Sequence, residues 1–332
     1  MTIEEIRAEV RTPAYDFLRT SPKLGNRIGM LCLGGSHAYG TNVEGSDIDL
    51  RGFAVRSAQE ILTGQDWEQV SDTGTDTTIY SFDKLVRLLA ACNPNTIEML
   101  GNRPEHYLVL SPVGQLLLEN RSLFLSKRAA ASFGGYANAQ LNRLYNKTGR
   151  VLEETLANET RSIDNAFAAL RRDESIGNCI SAYQSGGKPF ISIRKDLPLD
   201  GFIKVAQTVA NVHDDYRRSA RNDRAVEHGK LPKHMMHLVR LYLMAFDILE
   251  NGEIRTYREK DHELLMDIRN GKYLIDGIEP TAAFMEMVSS FEERLKELSK
   301  RTALPDKPDE QKILSLLAEV NGAAVTHCGN GS

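Results

Sequence analysis

The chain lacks the cysteine pairs and long apolar runs that mark several classes of protein. Its 332 residues include four cysteines, at positions 32, 92, 179 and 328, and none belongs to a C-x-x-C pair. The spacing therefore gives no support to a zinc or thioredoxin-like site. Cys32 and Cys92 lie inside apolar runs, and we expect both to be small core residues.

Membrane and export signals are also missing from the sequence. No apolar stretch approaches the roughly 20 residues that cross a bilayer. The first residues are acidic and amphipathic and contain no apolar segment of the kind found in signal peptides. We expect a cytoplasmic protein with reduced cysteines and no membrane partner.

An excess of positive charge is absent as well. Lys and Arg number 41 against 45 Asp and Glu, which gives a net charge of −4, and the sequence pI is about 6.1. A strongly basic nucleic-acid-binding protein would lie well above that value. A nucleic-acid substrate therefore requires a local basic patch. The 41% hydrophobic and 26% charged residues are typical of a globular protein, and the length suits two domains.

Two kinds of pattern follow one another along the chain. Residues 26–35, 46–55 and 75–82 predict strands, and the leucines at 85, 88 and 89 predict an amphipathic helix that ends at Asn93 and Pro94. Beyond about residue 120, helical patterns dominate, with a loop or small hairpin at 185–201. The predicted helices cover residues 129–146, 150–172, 202–221, 233–251, 261–270 and 282–299. The sequence therefore predicts an N-terminal α/β domain followed by a helical domain.

The segment LGGSHAYGTNVEGSDIDLRGF, residues 33–53, contains two aspartates spaced one residue apart. On a strand, Asp47 and Asp49 point to the same face, roughly 6–7 Å apart. Two carboxylates so close repel each other unless a cation lies between them. Mg²⁺ commonly uses one or two carboxylates together with substrate phosphates, so this pair is a candidate metal site.

A glycine-serine turn precedes the aspartates in the same segment. Gly34, Gly35 and Ser36 follow a predicted strand and can open a short helix, which presents backbone N–H groups to an anion. A lone D-x-D is more often an ordinary surface strand or turn. The turn and the D-x-D together, with strands on both sides, are a more specific indication of a phosphate and metal site.

The segments GGSHAYGT and SDIDLRG resemble the nucleotidyltransferase signature of the DNA polymerase beta superfamily. The block NPNTIEMLG at 93–101 and the helical blocks between residues 233 and 273 extend the resemblance to the RNA repair pathway DNA polymerase beta family. The resemblance implies an α+β fold, with an N-terminal mixed-sheet nucleotidyltransferase domain over residues 1–120. An all-helical domain over residues 121–332 would close the nucleotide cleft.

The same resemblance implies a chemistry and assigns roles. It implies transfer of an NMP from an NTP, and the reaction would use two bound metal ions, either Mg²⁺ or Mn²⁺. Gly35 and Ser36 would hold the β and γ phosphates, and Asp47 and Asp49 would bind the metal ions. The superfamily adds a third carboxylate from a neighbouring strand. Asp76 is our candidate for it, with Asp72 and Asp83 as rivals, although Asp83 also fits the first turn of a helix.

Other residues near the signature have two interpretations each. His37 either contacts a phosphate or packs at the helix start, and Arg51 either neutralises phosphate charge or pairs with an aspartate. Glu98 either lines the cleft or is an ordinary exposed helix residue.

Lys233, His237 and Arg240 share a helix face at i, i+4 and i+7. This face either binds a triphosphate or an RNA backbone, or is a solvated basic stripe. The basic segment 216–224 also either contacts nucleic acid or is solvated.

Three functions remain open from the sequence. The first is a nucleotidyltransferase with RNA as the acceptor. The second keeps the chemistry but uses a protein side chain or a small molecule as the acceptor. The third is a non-catalytic nucleotide-binding module with a protein partner, and the repelling Asp47 and Asp49 pair argues against it.

Overall fold

A five-stranded mixed sheet forms the N-terminal part of the computed structural model. The structure describes residues 1–145, 168–170, 172–173, 176–185, 188–193, 196–208, 210, 231–277 and 279–329. The strands of the sheet are β1 Ile28–Leu33, β2 Leu50–Ala54, β3 Gln69–Asp72, β4 Thr77–Ser81 and β5 Tyr107–Leu110.

The order of the strands across the sheet is β3-β4-β2-β1-β5. β1 pairs antiparallel with both β2 and β5, β2 pairs parallel with β4, and β3 pairs antiparallel with β4. β1 is almost entirely buried, because it has a strand on each side and helices over the sheet. The mixed sheet that the family resemblance implied is confirmed.

Short helices connect the strands and cover the sheet. They are α1 Ile3–Glu9, α2 Phe17–Thr20, α3 Gly35–Tyr39, α4 Ala58–Thr63, α5 Phe82–Ala90, α6 Pro94–Ile97 and α7 Pro112–Glu119. Side-chain caps fix where several of them begin. Ser57 and Glu60 form a capping box at α4, and Ser81 accepts a hydrogen bond from the Lys84 N–H at 3.2 Å to start α5. Short 3₁₀ turns cover Pro13–Tyr15, Gly25–Arg27, Glu98–Gly101, Pro104–His106 and Arg121–Phe124.

The remainder of the chain is mainly helical. Its long helices are α8 Arg128–Tyr145, α9 Leu231–Asn251, α10 His262–Arg269, α11 Ala282–Arg301 and α12 Glu310–Gly329, and residues 199–208 are also helical. Two small hairpins interrupt these helices, formed by β6 Ile180–Ser185 with β7 Lys188–Ile193 and by β8 Leu274–Ile275 with β9 Glu279–Pro280. The region is therefore predominantly helical and not all-helical. None of the helices in the described ranges is both long and apolar enough to span a bilayer.

The chain forms two compact units that do not follow the predicted boundary at residue 120. The first unit contains Met1–Ala139, Met236–Asn270 and Ala283–Ser332, and the second contains Gln140–Met235 and Gly271–Ala282. The first unit thus combines the sheet with most of α9, with α10 and with the C-terminal helices. The division at residue 120 into a catalytic and a closing domain stays a prediction.

Each unit has its own apolar core. In the first unit, residues from β1 and β2 pack with α1 and α3, and Leu31, Leu33, Leu50 and Tyr39 are members of this cluster. In the second unit, a small cluster contains Leu170, Ile176, Ile180 and Val205. Cys32 and Cys92 are fully buried in the first unit, as expected, and burial raises the pKa of the Cys32 thiol to about 12.

Most of the predicted elements have counterparts in the structure. The three predicted strands correspond to β1, β2 and β4, and the helices predicted at 129–146, 233–251, 261–270 and 282–299 correspond to α8, α9, α10 and α11. The interruption predicted at 185–201 is a hairpin that begins at Ile180. The elements β3, β5 and α12 have no counterpart among the predicted strands and helices. The predicted helix at 150–172 and most of the one at 202–221 lie outside the described residues.

Candidate active site

The turn between β1 and α3 is in direct contact with Asp49. Gly34 donates its N–H to the Asp49 carbonyl oxygen at 2.8 Å. Gly35 has a φ of 54°, and a Cβ at this position would lie 1.7 Å from Asp49 Oδ2. Only glycine satisfies both the left-handed backbone and the close approach. The Asp49 carboxylate therefore lies against the first residue of α3.

Ser36 and His37 are buried within α3. The Ser36 carbonyl accepts the Thr41 N–H at 2.9 Å, which closes the end of the helix. Burial lowers the pKa of His37, and a hydrogen bond with the Ser46 backbone partly opposes the shift. His37 Nε2 is buried and has no hydrogen-bond partner in the described part of the chain. His37 thus faces the backbone of the loop ahead of the aspartates, and its buried Nε2 is a polar atom that the described residues leave without a partner.

Asp47 and Asp49 precede β2 and do not lie on it, which corrects the expected strand over residues 46–55. β2 begins at Leu50, whose N–H donates to the Asp76 carbonyl oxygen at 3.2 Å. Asp47 is exposed and Asp49 is half-buried. Because neither aspartate lies within the strand, strand alternation does not fix the direction of these side chains.

Asp76 lies beside Asp49, since β2 and β4 run parallel and each aspartate immediately precedes its strand. The Arg51 guanidinium joins them: it donates to Asp76 Oδ1 at 3.1 Å and to the Asp76 carbonyl at 2.6 Å, and it lies 3.8 Å from Asp49 Oδ1. Asp76 has a φ of 43°, a conformation that is uncommon for a residue other than glycine. Such outliers cluster at functional sites.

The two rivals for the third carboxylate are held elsewhere. Asp72 Oδ1 accepts the Thr75 N–H at 2.8 Å in the turn between β3 and β4. Asp83, in the first turn of α5, forms two hydrogen bonds of 2.9 Å with Arg56, so the prediction that it is a helix-start residue is confirmed. Across the described ranges, no group of three or more His, Cys, Asp or Glu is arranged to hold a metal ion.

Glu98 is the centre of a buried ion pair. It is 6% exposed and Arg240 is 5% exposed. Arg240 Nη1 donates to Glu98 Oε2 at 2.8 Å, and the Tyr39 hydroxyl donates to the same oxygen at 2.6 Å. The Arg240 guanidinium also lies 3.7 Å from the centre of the Tyr39 ring. Burial raises the pKa of Tyr39 well above its usual value. The interpretation of Glu98 as an exposed helix residue is wrong.

The expected basic face on α9 does not form one exposed stripe. Lys233 is exposed, His237 is half-buried with its ring 6.4 Å from that of Tyr39, and Arg240 is buried. The stripe does not form because the middle of α9 is buried. Arg240 lies in that part of the helix, where its charge requires a carboxylate partner. Lys233 belongs to the second compact unit. The basic segment 216–224 lies outside the described residues.

A segment without a predicted functional role packs against the end of α3. Within residues 253–261, Thr256 donates its N–H to the Gly101 carbonyl at 3.1 Å, and Arg258 donates its N–H to the Tyr39 carbonyl at 3.3 Å. The Arg103 guanidinium stacks 3.5 Å from the centre of the Tyr257 ring. This segment therefore supports the helix that carries Ser36 and His37.

Two polar side chains near the site were also missed. Asn102 Nδ2 donates to the Leu33 carbonyl at 2.8 Å, which fixes the end of β1 just before the glycines. Arg269, at the end of α10, reaches Ser46 Oγ at 3.4 Å. Only the family resemblance could have pointed to these residues. Asn102 directly follows the block at 93–101, and Arg269 lies within the blocks between residues 233 and 273.

The mixed sheet, the glycine-serine helix after its central strand and the D-x-D segment before the next strand define a polymerase-beta-like nucleotidyltransferase fold. The chain belongs to the RNA repair pathway DNA polymerase beta family, whose sequence model matches residues 14–318. The name of the family points to a nucleotidyltransferase of RNA repair.

One relative comes from a bacteriophage. The chain is similar to an uncharacterized 38.9 kDa protein of the nrdC-mobD intergenic region of Enterobacteria phage T4. The two are 24% identical over 277 residues, which cover 72% of this chain and 81% of the phage protein. No solved structure matches the chain.

Proposed function

We propose that the protein is a metal-dependent nucleotidyltransferase that moves an NMP from an NTP to an acceptor hydroxyl, and that the acceptor is an RNA end. One observation carries the proposal: the Asp49 carboxylate lies against Gly35, at the start of α3. A phosphate held by the turn would therefore lie beside a metal-binding carboxylate. Membership of the family supports the same chemistry.

The turn would hold the phosphates of the nucleotide. Gly34 and Gly35 bring the backbone close to the ligand because they have no Cβ, and the N–H groups at the start of α3 attract an anion. Ser36 adds a hydroxyl. His37 contributes the ring nitrogen that has no partner within the described ranges.

Carboxylate oxygens are the ligands that Mg²⁺ and Mn²⁺ prefer, so the chemistry of the aspartates suits these cations. Binding would have to draw the carboxylates of Asp47, Asp49 and Asp76 together, since no such group of three is arranged around a metal position in the described ranges. Asp47 and Asp49 would hold two ions, and Asp76 is the proposed third ligand because it lies beside Asp49. Asp76 can take that role only if Arg51 releases it, since Arg51 donates to its carboxylate at 3.1 Å. The bound ions would activate the attacking oxygen and stabilise the leaving pyrophosphate.

The transfer exchanges one phosphorus–oxygen bond for another. The acceptor oxygen attacks the α phosphorus, the bond to the β phosphate breaks and pyrophosphate leaves, while the proton of the acceptor hydroxyl passes to solvent water. Positioning provides much of the catalysis in such reactions. Arg51, once released from Asp76, is placed to pair with phosphate charge. It stays a prediction that Lys233, His237 and Arg240 contact the triphosphate. Arg240 would first have to break its ion pair with Glu98.

Incubation with NTPs labelled at the α phosphate tests the proposal. Each NTP is supplied with Mg²⁺ or Mn²⁺ and with RNA oligonucleotides whose 3′ ends carry either a hydroxyl or a blocked sugar. We expect label on the RNA with the free hydroxyl and none on the blocked RNA. A parallel reaction with a cell lysate reports protein or small-molecule acceptors.

The pattern of labelling separates the three functions. Label on protein or on a small molecule would retain the transfer chemistry and replace RNA as the acceptor. Binding of an NTP without label on any acceptor would contradict the proposal and favour a nucleotide-binding module.

A further inference from the structure

Arg269 has no carboxylate partner among the residues that the structure describes. It is the last residue of α10, and its guanidinium makes a long hydrogen bond, 3.4 Å, to the neutral Ser46 Oγ. Its Nη1 is buried and has no hydrogen-bond partner among the residues that the structure describes. Burial lowers the pKa of Arg269, as expected for a cation that desolvation destabilises.

Three other buried or half-buried arginines of the same unit have carboxylate partners. Arg240 pairs with Glu98 at 2.8 Å, Arg56 pairs with Asp83 at 2.9 Å, and Arg258 pairs with both Asp247 and Asp261. Arg269 is half-buried, and a cation that loses part of its hydration without gaining a partner is destabilised. An anionic ligand would supply the missing partner of Arg269.

The position of Arg269 indicates which ligand this is. Ser46 immediately precedes Asp47, and its backbone lies close enough to His37 to raise the pKa of that imidazole. His37 Nε2 is also buried without a partner in the described ranges. Asp47 itself makes no ion pair with Arg269 within those ranges. Two nitrogen atoms without partners in the described ranges, Nη1 of Arg269 on α10 and Nε2 of His37 on α3, thus flank the loop that leads into the aspartates. The Arg269 nitrogen is a donor, and the His37 nitrogen donates when it carries the ring proton.

We propose that Arg269 binds a phosphate group of a substrate at this loop, with His37 as a second contact. The planar guanidinium fork matches phosphate oxygens in a bidentate arrangement. The identity of the ligand rests on the proposed function: the phosphate belongs either to the triphosphate of the NTP or to the phosphorylated end of the acceptor RNA. Both sources share the chemistry that Arg269 recognises.

Calorimetric binding to two probes tests the proposal. The probes are inorganic tripolyphosphate with Mg²⁺, and an oligoribonucleotide with or without a terminal phosphate. We expect Arg269→Met to weaken binding of one phosphate probe by about 10- to 100-fold, the contribution of a charged hydrogen bond. Arg269→Lys should lose less, because it keeps the charge without the fork. Arg255→Met is the matched control, since Arg255 is exposed and paired with Glu253, and we expect it to bind like the wild type.

Thermal unfolding without ligand distinguishes a binding role from a structural one. Arg269→Met should melt at or above the wild-type temperature, because the variant removes an uncompensated charge. A lower melting temperature with unchanged affinity for both probes would overturn the proposal. Failure of the wild-type protein to bind either probe would overturn it as well.

The two probes also separate the two phosphate sources. Weaker tripolyphosphate binding assigns Arg269 to the nucleotide. Weaker binding of the phosphorylated RNA, with tripolyphosphate affinity retained, assigns it to the acceptor. Arg269-dependent binding in a protein that transfers no nucleotide would remove the proposed function and keep this inference. Normal binding of both probes by Arg269→Met, in a protein that transfers nucleotide, would overturn this inference and keep the proposed function.

Discussion

Gly35 combines two requirements that can be tested separately. Its φ of 54° requires a left-handed backbone, and its lack of a Cβ leaves room for the Asp49 carboxylate. Gly45, in the loop ahead of Asp47, has a φ of 77° but nothing within 4 Å of where a Cβ would lie. The two glycines therefore share the backbone requirement and differ in the contact with Asp49.

Substitution of each glycine by alanine isolates the contribution of the contact. We expect Gly45→Ala to cost about 1–2 kcal/mol of unfolding free energy, the cost of a left-handed conformation for a residue with a Cβ. Gly35→Ala should cost more, and it should also remove nucleotide transfer because Asp49 must move. Urea denaturation and the labelled transfer assay measure the two effects. If both variants lost the same stability and retained transfer, the contact between Gly35 and Asp49 would have no role in stability or in transfer.

Local patterns revealed some site residues and could not reveal others. Gly34, Gly35, Ser36, Asp47 and Asp49 lie within one short segment, where spacing alone suggested a phosphate and metal site. The partner of Glu98 could not be predicted in this way, because Arg240 lies 142 residues away. A lone glutamate or arginine in a helical pattern resembles an ordinary surface residue until the fold brings the two together.

The buried ion pair links three segments of the first unit. Tyr39 comes from α3, Glu98 from the 3₁₀ turn after α6, and Arg240 from α9. Removal of one partner leaves an uncompensated buried charge, which is strongly destabilising. The arrangement therefore holds α9 against the helix that carries Ser36 and His37.

We expect Arg240→Ala to lower the unfolding free energy by about 3–5 kcal/mol, because the Glu98 carboxylate stays buried. Arg301→Ala is the matched control on α11. Its guanidinium is 78% exposed and pairs with Glu297 at 3.4 Å, so the loss should be below about 1 kcal/mol. Urea denaturation of both variants measures the difference. Unchanged stability of Arg240→Ala with a raised KM for NTP would instead assign Arg240 to the nucleotide.

Strongly periodic elements were predicted well, and weak ones were missed. α9 and α11 have long amphipathic patterns, and their predicted ranges agree with the structure to within a few residues. β3 is a short edge strand whose residues are exposed or half-buried, so it lacks a continuous apolar run. The turn residues Asp72-Thr73-Gly74-Thr75 could have predicted a hairpin between β3 and β4.

The assembly of the first unit depends on contacts between distant parts of the chain. Residues 236–270 and 283–332 join the sheet of residues 28–110 in one compact unit. α12 packs against α4 and α5, across more than half of the sequence. The change from strand to helix patterns near residue 120 therefore marks a change in secondary structure, whereas the compact units follow tertiary packing that periodicity does not report.

The proposed function requires that Asp49 binds a metal ion needed for nucleotide transfer. The direct measurement is the rate of Mg²⁺-dependent transfer of labelled NMP by Asp49→Asn, with Asp66→Asn as the control. Asp66 is an exposed aspartate in the same unit. Asparagine keeps the shape of the side chain and removes the charge that the cation requires. We predict that Asp49→Asn folds like the wild type and transfers no label, while Asp66→Asn transfers at the wild-type rate. Transfer by folded Asp49→Asn at the rate of Asp66→Asn would show that Asp49 does not bind a required metal ion.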